Sequence, residues 1–402
     1  MLVAEEIMLP LLLLFVLVLV LIRLKVPIGV SLLSGAIFLG IWSFGLSGDF
    51  WKLLYNSLIN IRSWRLVVTV VLILTFANLF ESVGFVRSMV SSLESFLPPK
   101  WVARAAPAII GLLPMPGGAM VSAPIVKQIG RDSDISPERI TAQNYWWRHV
   151  WEAAWPLYPS IILAAAVLSV SVWDVAIINF PICITCILVG LLLGKVGASA
   201  RSGERGDYVK LIKSLWPILF IVVVGLVLKI DLIISVILVL VILYFRYKPT
   251  KPVIISSIKT GFAPGVIILI FGVMTLMYTM EATEIASLFY HELLQLNIPS
   301  GLVVFVVPFV VGLLTGVTSA YIGVAFPIIV PLMGTEMLNI KAGMILAFAG
   351  GFMGVMASPV HLCLVLTSQY FRASIAKTLL TVAVPIILTS CAAWVLSVTL
   401  YN

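Results

Sequence analysis

Long apolar runs, repeated from one end of the chain to the other, set the first limit on what it can fold into. They fall at residues 9–22, 28–45, 66–83, 103–126, 141–170, 174–194, 214–229, 231–245, 264–280, 301–332, 342–369 and 378–399. A helix needs about 20 mainly apolar residues to cross the hydrocarbon of a bilayer. Every backbone N–H and C=O in lipid must be bonded internally, which makes such runs helices. Hydrophobic residues make up 61% of the 402 and charged residues 10%, against about 25% charged in a soluble domain. The expected class is an all-α polytopic membrane protein. The first run follows Glu5 and Glu6 rather than basic residues, and no small-residue cleavage site follows it. It reads as a retained span, not a signal peptide.

The net charge of +8 does not call for a nucleic acid. Most Lys and Arg sit in short loops beside apolar runs, as the positive-inside rule requires. With segment 195–213 placed in the cytoplasm, only Lys52, Arg62, Arg65, Lys229 and Lys341 fall outside, and Arg148 lies within a run. The expected location is the inner (plasma) membrane, crossed many times. Cys183 and Cys186 have C-x-x-C spacing, but with no second pair and no histidine cluster they read as packing residues, as do Cys363 and Cys391.

The chain matches itself at an offset of 200 residues, where Ser57 meets Ser257, Thr75 meets Thr275 and Glu81 meets Glu281. Gly111-Leu-Leu then meets Gly312-Leu-Leu. Past a small insertion, Pro124-Ile125 meets Pro327-Ile328 and Pro156 meets Pro359. The order of these matches indicates a duplication. The charge assignment makes 103–126 enter and leave from the cytoplasm and 301–332 enter and leave from outside. The halves are therefore expected to be antiparallel, the inverted-repeat plan of many secondary transporters. The divisions are 1–194 (first repeat with an extra N-terminal span), 195–213 (linker) and 214–402 (second repeat). Residues 49–61 and 250–261 are short and amphipathic, and read as interfacial helices.

Two segments read as re-entrant hairpins. The first, 106–126, has two prolines and two glycines at Pro114, Pro116, Gly117 and Gly118, which cannot continue a helix. The second, 307–331, centres on Thr315, Gly316, Thr318 and Ser319, whose hydroxyls can face a cation or an anionic substrate. Each is followed by a proline-broken span, at Trp155-Pro156 and Ser358-Pro359. Broken helices place half-helix ends at the bilayer midplane, where N-terminal ends attract carboxylates and freed carbonyls coordinate cations.

Ionisable groups inside spans are functional candidates. Arg148 and Glu152 are spaced i, i+4 and can pair on one helix face. His149 adjoins them, and His361 follows the second break, where it can approach Thr318 and Ser319. The functional reading has Arg148 attract an anion and Glu152 or His149 carry a proton. The structural reading is an Arg–Glu brace on a Trp-rich helix, the four tryptophans between 146 and 155 forming an interfacial belt.

Residues 75–86 (TFANLFESVGFV), the Gly-rich hairpin at 111–126 and WPLYPS at 155–160 resemble the large membrane subunit of tripartite ATP-independent periplasmic (TRAP) transporters. The second half, with GLLTGVTSAYIGVAFPIIVPL and ASPVHL, is similar to that subunit's second hairpin and broken helix. The wider group is the ion transporter superfamily. The stretch LLPMPGGAMVSAP is similar to an uncharacterised prokaryotic membrane-protein family within it. The resemblance implies an elevator-type carrier of small organic anions with sodium or protons. It places the hairpin tips on Pro116-Gly117-Gly118 and Thr315–Ser319, the breaks on Trp155-Pro156 and Ser358-Pro359, and a sodium site at Thr315, Thr318 and Ser319. The first tip departs from the family by lacking its serine-bearing motif. Carbonyls there, or protons on Glu152 and His149, are the substitutes.

No cofactor is implied. Partners are a small organic anion and membrane lipid, with a homodimer as the usual assembly of such carriers. A cation/proton or inorganic-anion exchanger on the same scaffold is the alternative. An intramembrane enzyme is disfavoured, since the chain carries no H-E-x-x-H, no G-x-G-D and no paired intramembrane aspartates.

Overall fold

The computed structural model describes residues 2–115, 117–130, 135–194, 208–335 and 338–401. Pro116 and most of segment 195–213 lie outside the described residues. Among the described residues the secondary structure is helical, apart from one isolated bridge between Thr335 and Leu338.

The first half runs α1 (Leu2–Arg23), α2 (Ile28–Phe44), α3 (Gly48–Ile59), α4 (Ile61–Ser82), α5 (Phe85–Phe96), α6 (Pro99–Ile110), α7 (Ala119–Gly130), α8 (Pro137–His149), α9 (Pro159–Leu168) and α10 (Val172–Gly190). The second runs α11 (Tyr208–Val222), α12 (Leu232–Tyr247), α13 (Lys251–Gly261), α14 (Pro264–Thr283), α15 (Ile285–Gln295), α16 (Ser300–Thr315), α17 (Thr318–Ile329), α18 (Ile340–Ala357), α19 (Leu362–Phe371) and α20 (Ile375–Tyr401). Among the described residues each half thus holds ten α-helices. Among the described residues, six helical stretches are long and apolar enough to cross a membrane, among them Val172–Leu193, Val209–Val227 and Ile375–Tyr401.

The short amphipathic segments form α3 and α13, and each packs on the long helix of the other half. Ser57 on α3 meets Thr275 on α14 at 3.1 Å, and Ser257 on α13 donates to Asn78 on α4 at 3.0 Å. The two serines matched by the 200-residue offset therefore make reciprocal cross-half bonds.

α6, α7 and α17 are 12 residues each. At 1.5 Å per residue that is about 18 Å, well short of the ~30 Å hydrocarbon thickness. Each pair, α6–α7 and α16–α17, is joined by a non-helical tip. Both tips turn on a glycine in the left-handed region, Gly117 (φ 69°) and Gly316 (φ 65°). α7 packs on α19 and α17 on α9, so each pair rests against the other half's second broken-helix segment.

The charged groups sort into clusters. Arg104 and Gln143 both donate to the Gly194 carbonyl at 2.7 Å, and Arg139 donates to that of Leu193 at 3.0 Å. These cationic and amide donors cap the chain where it leaves the tenth helix. Arg62, Arg65 and Lys229 instead line a separate cavity of about 870 Å³ with Trp173 and Asp231, where Arg65 pairs with Asp231.

Candidate functional site

α8 stops at His149, and residues 150–158 form turns before α9 starts at Pro159. Pro156 and Pro159 remove two backbone donors in this stretch, and the backbone opens. The same happens after Ala357, where Ser358 to His361 separate α18 from α19. Both tips and both breaks converge on one buried centre.

Arg148 is 3% exposed. Its guanidinium donates to the Tyr158 hydroxyl at 2.8 Å and to the carbonyls of Leu113 at 3.1 Å and Met115 at 3.3 Å. It lies directly over Gly118, where an added Cβ would sit 2.7 Å from Nε and Nη2. The expected Arg148–Glu152 pair does not form. The helix ends one residue after Arg148, so i, i+4 helical geometry does not extend to Glu152. Among the described residues no carboxylate lies within ion-pair distance of Arg148, and its Nε has no hydrogen-bond partner.

Glu152 is 7% exposed and turns toward the second half, where it accepts a hydrogen bond from the Thr318 hydroxyl. Its second oxygen stands 3.8 Å from His149 Nε2. His149 Nδ1 is 2.6 Å from the Tyr145 carbonyl. A carbonyl can only accept, so Nδ1 carries the hydrogen and Nε2 carries the lone pair of the neutral ring. That nitrogen faces His361 Nε2 across 3.2 Å, joining the end of α8 to the start of α19.

The tryptophans do not form an interfacial belt. Trp146 and Trp147 are buried, and their indole N–H groups donate to the Cys186 carbonyl and to Gln143 at 2.9 and 2.8 Å. Trp151 and Trp155 donate to the carbonyls of Ala108 at 3.0 Å and Leu112 at 2.8 Å, and Tyr158 to that of Gly111 at 2.6 Å. The reason is local. α6 ends at Ile110, its last carbonyls have no helical partner, and lipid offers none. Five opened carbonyls between Ala108 and Met115 are taken by Trp151, Tyr158, Trp155 and Arg148. These bonded carbonyls precede the tip expected at Pro116-Gly117-Gly118.

Thr315 and Thr318 are buried and Ser358 is fully buried, whereas Ser319 is half-buried. Thr315 donates back to Val311 at 2.7 Å, and the Val360 N–H reaches Ser358 Oγ at 3.4 Å. Gly316 presses on this break, since a Cβ there would come within 2.8 Å of the His361 nitrogen and 2.9 Å of Ser358 Oγ. His361 meets His149 rather than Thr318 and Ser319. Pro359 is exposed and Pro156 buried; both act by opening the backbone. The sequence reading did not single out Tyr145, Tyr158 and Cys363. Tyr145 donates to the Met356 carbonyl at the end of α18 at 3.2 Å, and Cys363 lies beside both histidines.

The fold and site define a polytopic helical membrane protein with a closed polar centre shared between two halves. A family model described as "Protein of unknown function (DUF401)" matches residues 8–400, and the chain belongs to that family. No curated protein matches it. The fold is similar to that of the YdaH transporter from Alcanivorax borkumensis, whose crystal structure is described as revealing an unusual topology. The TM-score is 0.63 at 14% identity, with 88% of each chain covered. At that identity the likeness is one of fold.

Proposed function

We propose that the chain is a secondary active transporter of a small organic anion of the carboxylate class, driven by sodium or protons. The observation that carries this reading is Arg148. A guanidinium buried at the centre of the molecule is bonded only to neutral oxygens, with no carboxylate among the described residues within ion-pair distance. Burying such a charge is costly unless an anion accompanies it, and intramembrane charges mark transport pathways. The fork of donors suits a carboxylate.

The mechanism follows from the tips and breaks. We read α6–α7 and α16–α17 as re-entrant hairpins, and the two ten-helix halves as inverted repeats. The reciprocal Ser57 and Ser257 bonds support the second reading, and the short helices support the first. Each half contributes a hairpin and a broken helix, so the anion site belongs to both. Movement of this unit against the remaining helices would carry the site across the membrane as an elevator. The likeness to the YdaH fold and the TRAP-like motifs support transport as the class of activity.

The test is thermal stabilisation of the purified chain by a panel of small mono- and dicarboxylates, each in sodium and in potassium. A ligand at 100 times its Kd stabilises by about 2.7 kcal/mol. We expect one carboxylate to stabilise the wild type and to lose that effect in Arg148→Lys, which keeps the charge but not the fork. A response to inorganic salts with none to any carboxylate would replace this reading with ion exchange.

A further inference from the structure

We infer that His149, His361 and Cys363 form a buried three-ligand binding site for a zinc-class transition-metal ion, with the Glu152 carboxylate as a neighbouring charge beside His149. Their ligand atoms all lie within 4.8 Å of one another, and all three residues are buried. This inference does not rest on the transport reading, which uses Arg148.

The two imidazoles have the geometry of a shared ion. Two nitrogens bound at about 2.05 Å in a tetrahedral shell stand about 3.3 Å apart. The Nε2 atoms here are 3.2 Å apart. The ring centroids are only 4.9 Å apart, with the planes crossed at 82°. A collinear N–H···N bond of that length would hold the centroids about 5.5 Å apart. The N–N line therefore does not run along both ring axes, as a shared ion beside that line requires.

The outer contacts anchor His149, while the buried His361 Nδ1 has no hydrogen-bond partner. The Nδ1–H of His149 is anchored on the Tyr145 carbonyl, leaving Nε2 as the lone-pair nitrogen. Glu152 is oriented by the Thr318 hydroxyl through one oxygen, while the other faces His149. On binding, the ion displaces the proton from the Cys363 thiol, and the histidines bind neutral. One thiolate and one carboxylate then balance a divalent charge. That is the condition for placing it in a low-dielectric core. A set of two nitrogens and one sulfur favours zinc or cobalt over calcium or magnesium, which take all-oxygen shells. The ion would join α8 of one half to α19 of the other.

The test uses the full-length untagged chain in detergent, stripped with chelator and titrated with Zn2+ or Co2+. One ion per chain is expected, with a thiolate-to-metal absorption band in the cobalt form. Cys363→Ser should abolish that band. His361→Ala should weaken binding by at least about 100-fold, and Thr318→Val by about tenfold. Cys183→Ser, a buried cysteine outside the cluster, should change nothing. Should buried substitutions fail to fold, X-ray absorption on the zinc-loaded wild type decides. It should show one sulfur at about 2.3 Å with nitrogen or oxygen at about 2.0 Å. A shell without sulfur, or equal binding by folded Cys363→Ser, would mean an adventitious ion only and overturn the site. Carboxylate stabilisation is read separately, so either idea can fail alone.

Discussion

The two helix pairs share a plan but satisfy their opened backbones in opposite ways. At the first tip the carbonyls of Ala108, Gly111, Leu112, Leu113 and Met115 are bonded by side chains from 148–158, a separate segment of the same half. At the second tip the bonds are local: Thr315 returns to Val311, and Gly316 N–H returns to Gly312. α16 also lies backbone to backbone on α18. A Cβ on Gly350 or Gly354 would come within 2.2 or 2.1 Å of the Phe305 or Phe309 carbonyl. The first tip is held by long polar side chains and the second by small residues in close contact. A shared plan of tip and break therefore does not imply shared chemistry. One tip carries a cation over it, and the other reaches the carboxylate of Glu152 through Thr318.

The glycines at the two tips give the sharpest way to break this comparison. Both have positive φ, and an L-residue there costs about 1–2 kcal/mol. Gly316→Ala also drives a Cβ into the His361 backbone, so its total loss should reach about 2–4 kcal/mol. Gly117→Ala meets only the end of Leu366 at 3.4 Å and should lose about 1 kcal/mol. Thermal unfolding of both variants in one detergent checks the order, and equal losses would remove the asymmetry.

Smaller effects should follow the donors. Tyr158→Phe strips a bond from Gly111 and an acceptor from Arg148, and should lose about 1–3 kcal/mol. Trp155→Phe leaves the Leu112 carbonyl alone at membrane depth and should lose about 1–2 kcal/mol. Thr315→Val removes a back-bond whose carbonyl keeps its helical partner, and should lose about 1 kcal/mol or less. Should Thr315→Val prove costlier than Trp155→Phe, the second tip would depend on its hydroxyl as the first depends on its indoles.

Much of the frame was legible. The amphipathic stretches at 49–61 and 250–261 are Gly48–Ile59 and Lys251–Gly261, because moderate apolarity with short length is a local property. Prolines and glycines located both tips and both breaks for the same reason. The failures had one cause. Arg148 and Glu152 were paired by counting along a helix that ends at His149, and the tryptophans were assigned to an interface by composition. Most needed a partner more than thirty residues away: Arg148, Trp151 and Trp155 on the segment 108–115, Trp146 on α10 and Glu152 on the other half, while Trp147 bonds Gln143 on its own helix. Cys363 gave no signal in the sequence, since a lone cysteine in an apolar run has no period or spacing to mark it.

The sequence by itself determined that this chain is helical, lies in a membrane and opens its backbone at four places. Those features depend on apolar length and on residues that cannot continue a helix, both set within a few positions. Only the tertiary structure decided that Arg148 covers the first tip, that Glu152 crosses to Thr318 and that His149 meets His361. Each contact joins groups on different helices, and packing alone determines which donor faces which acceptor.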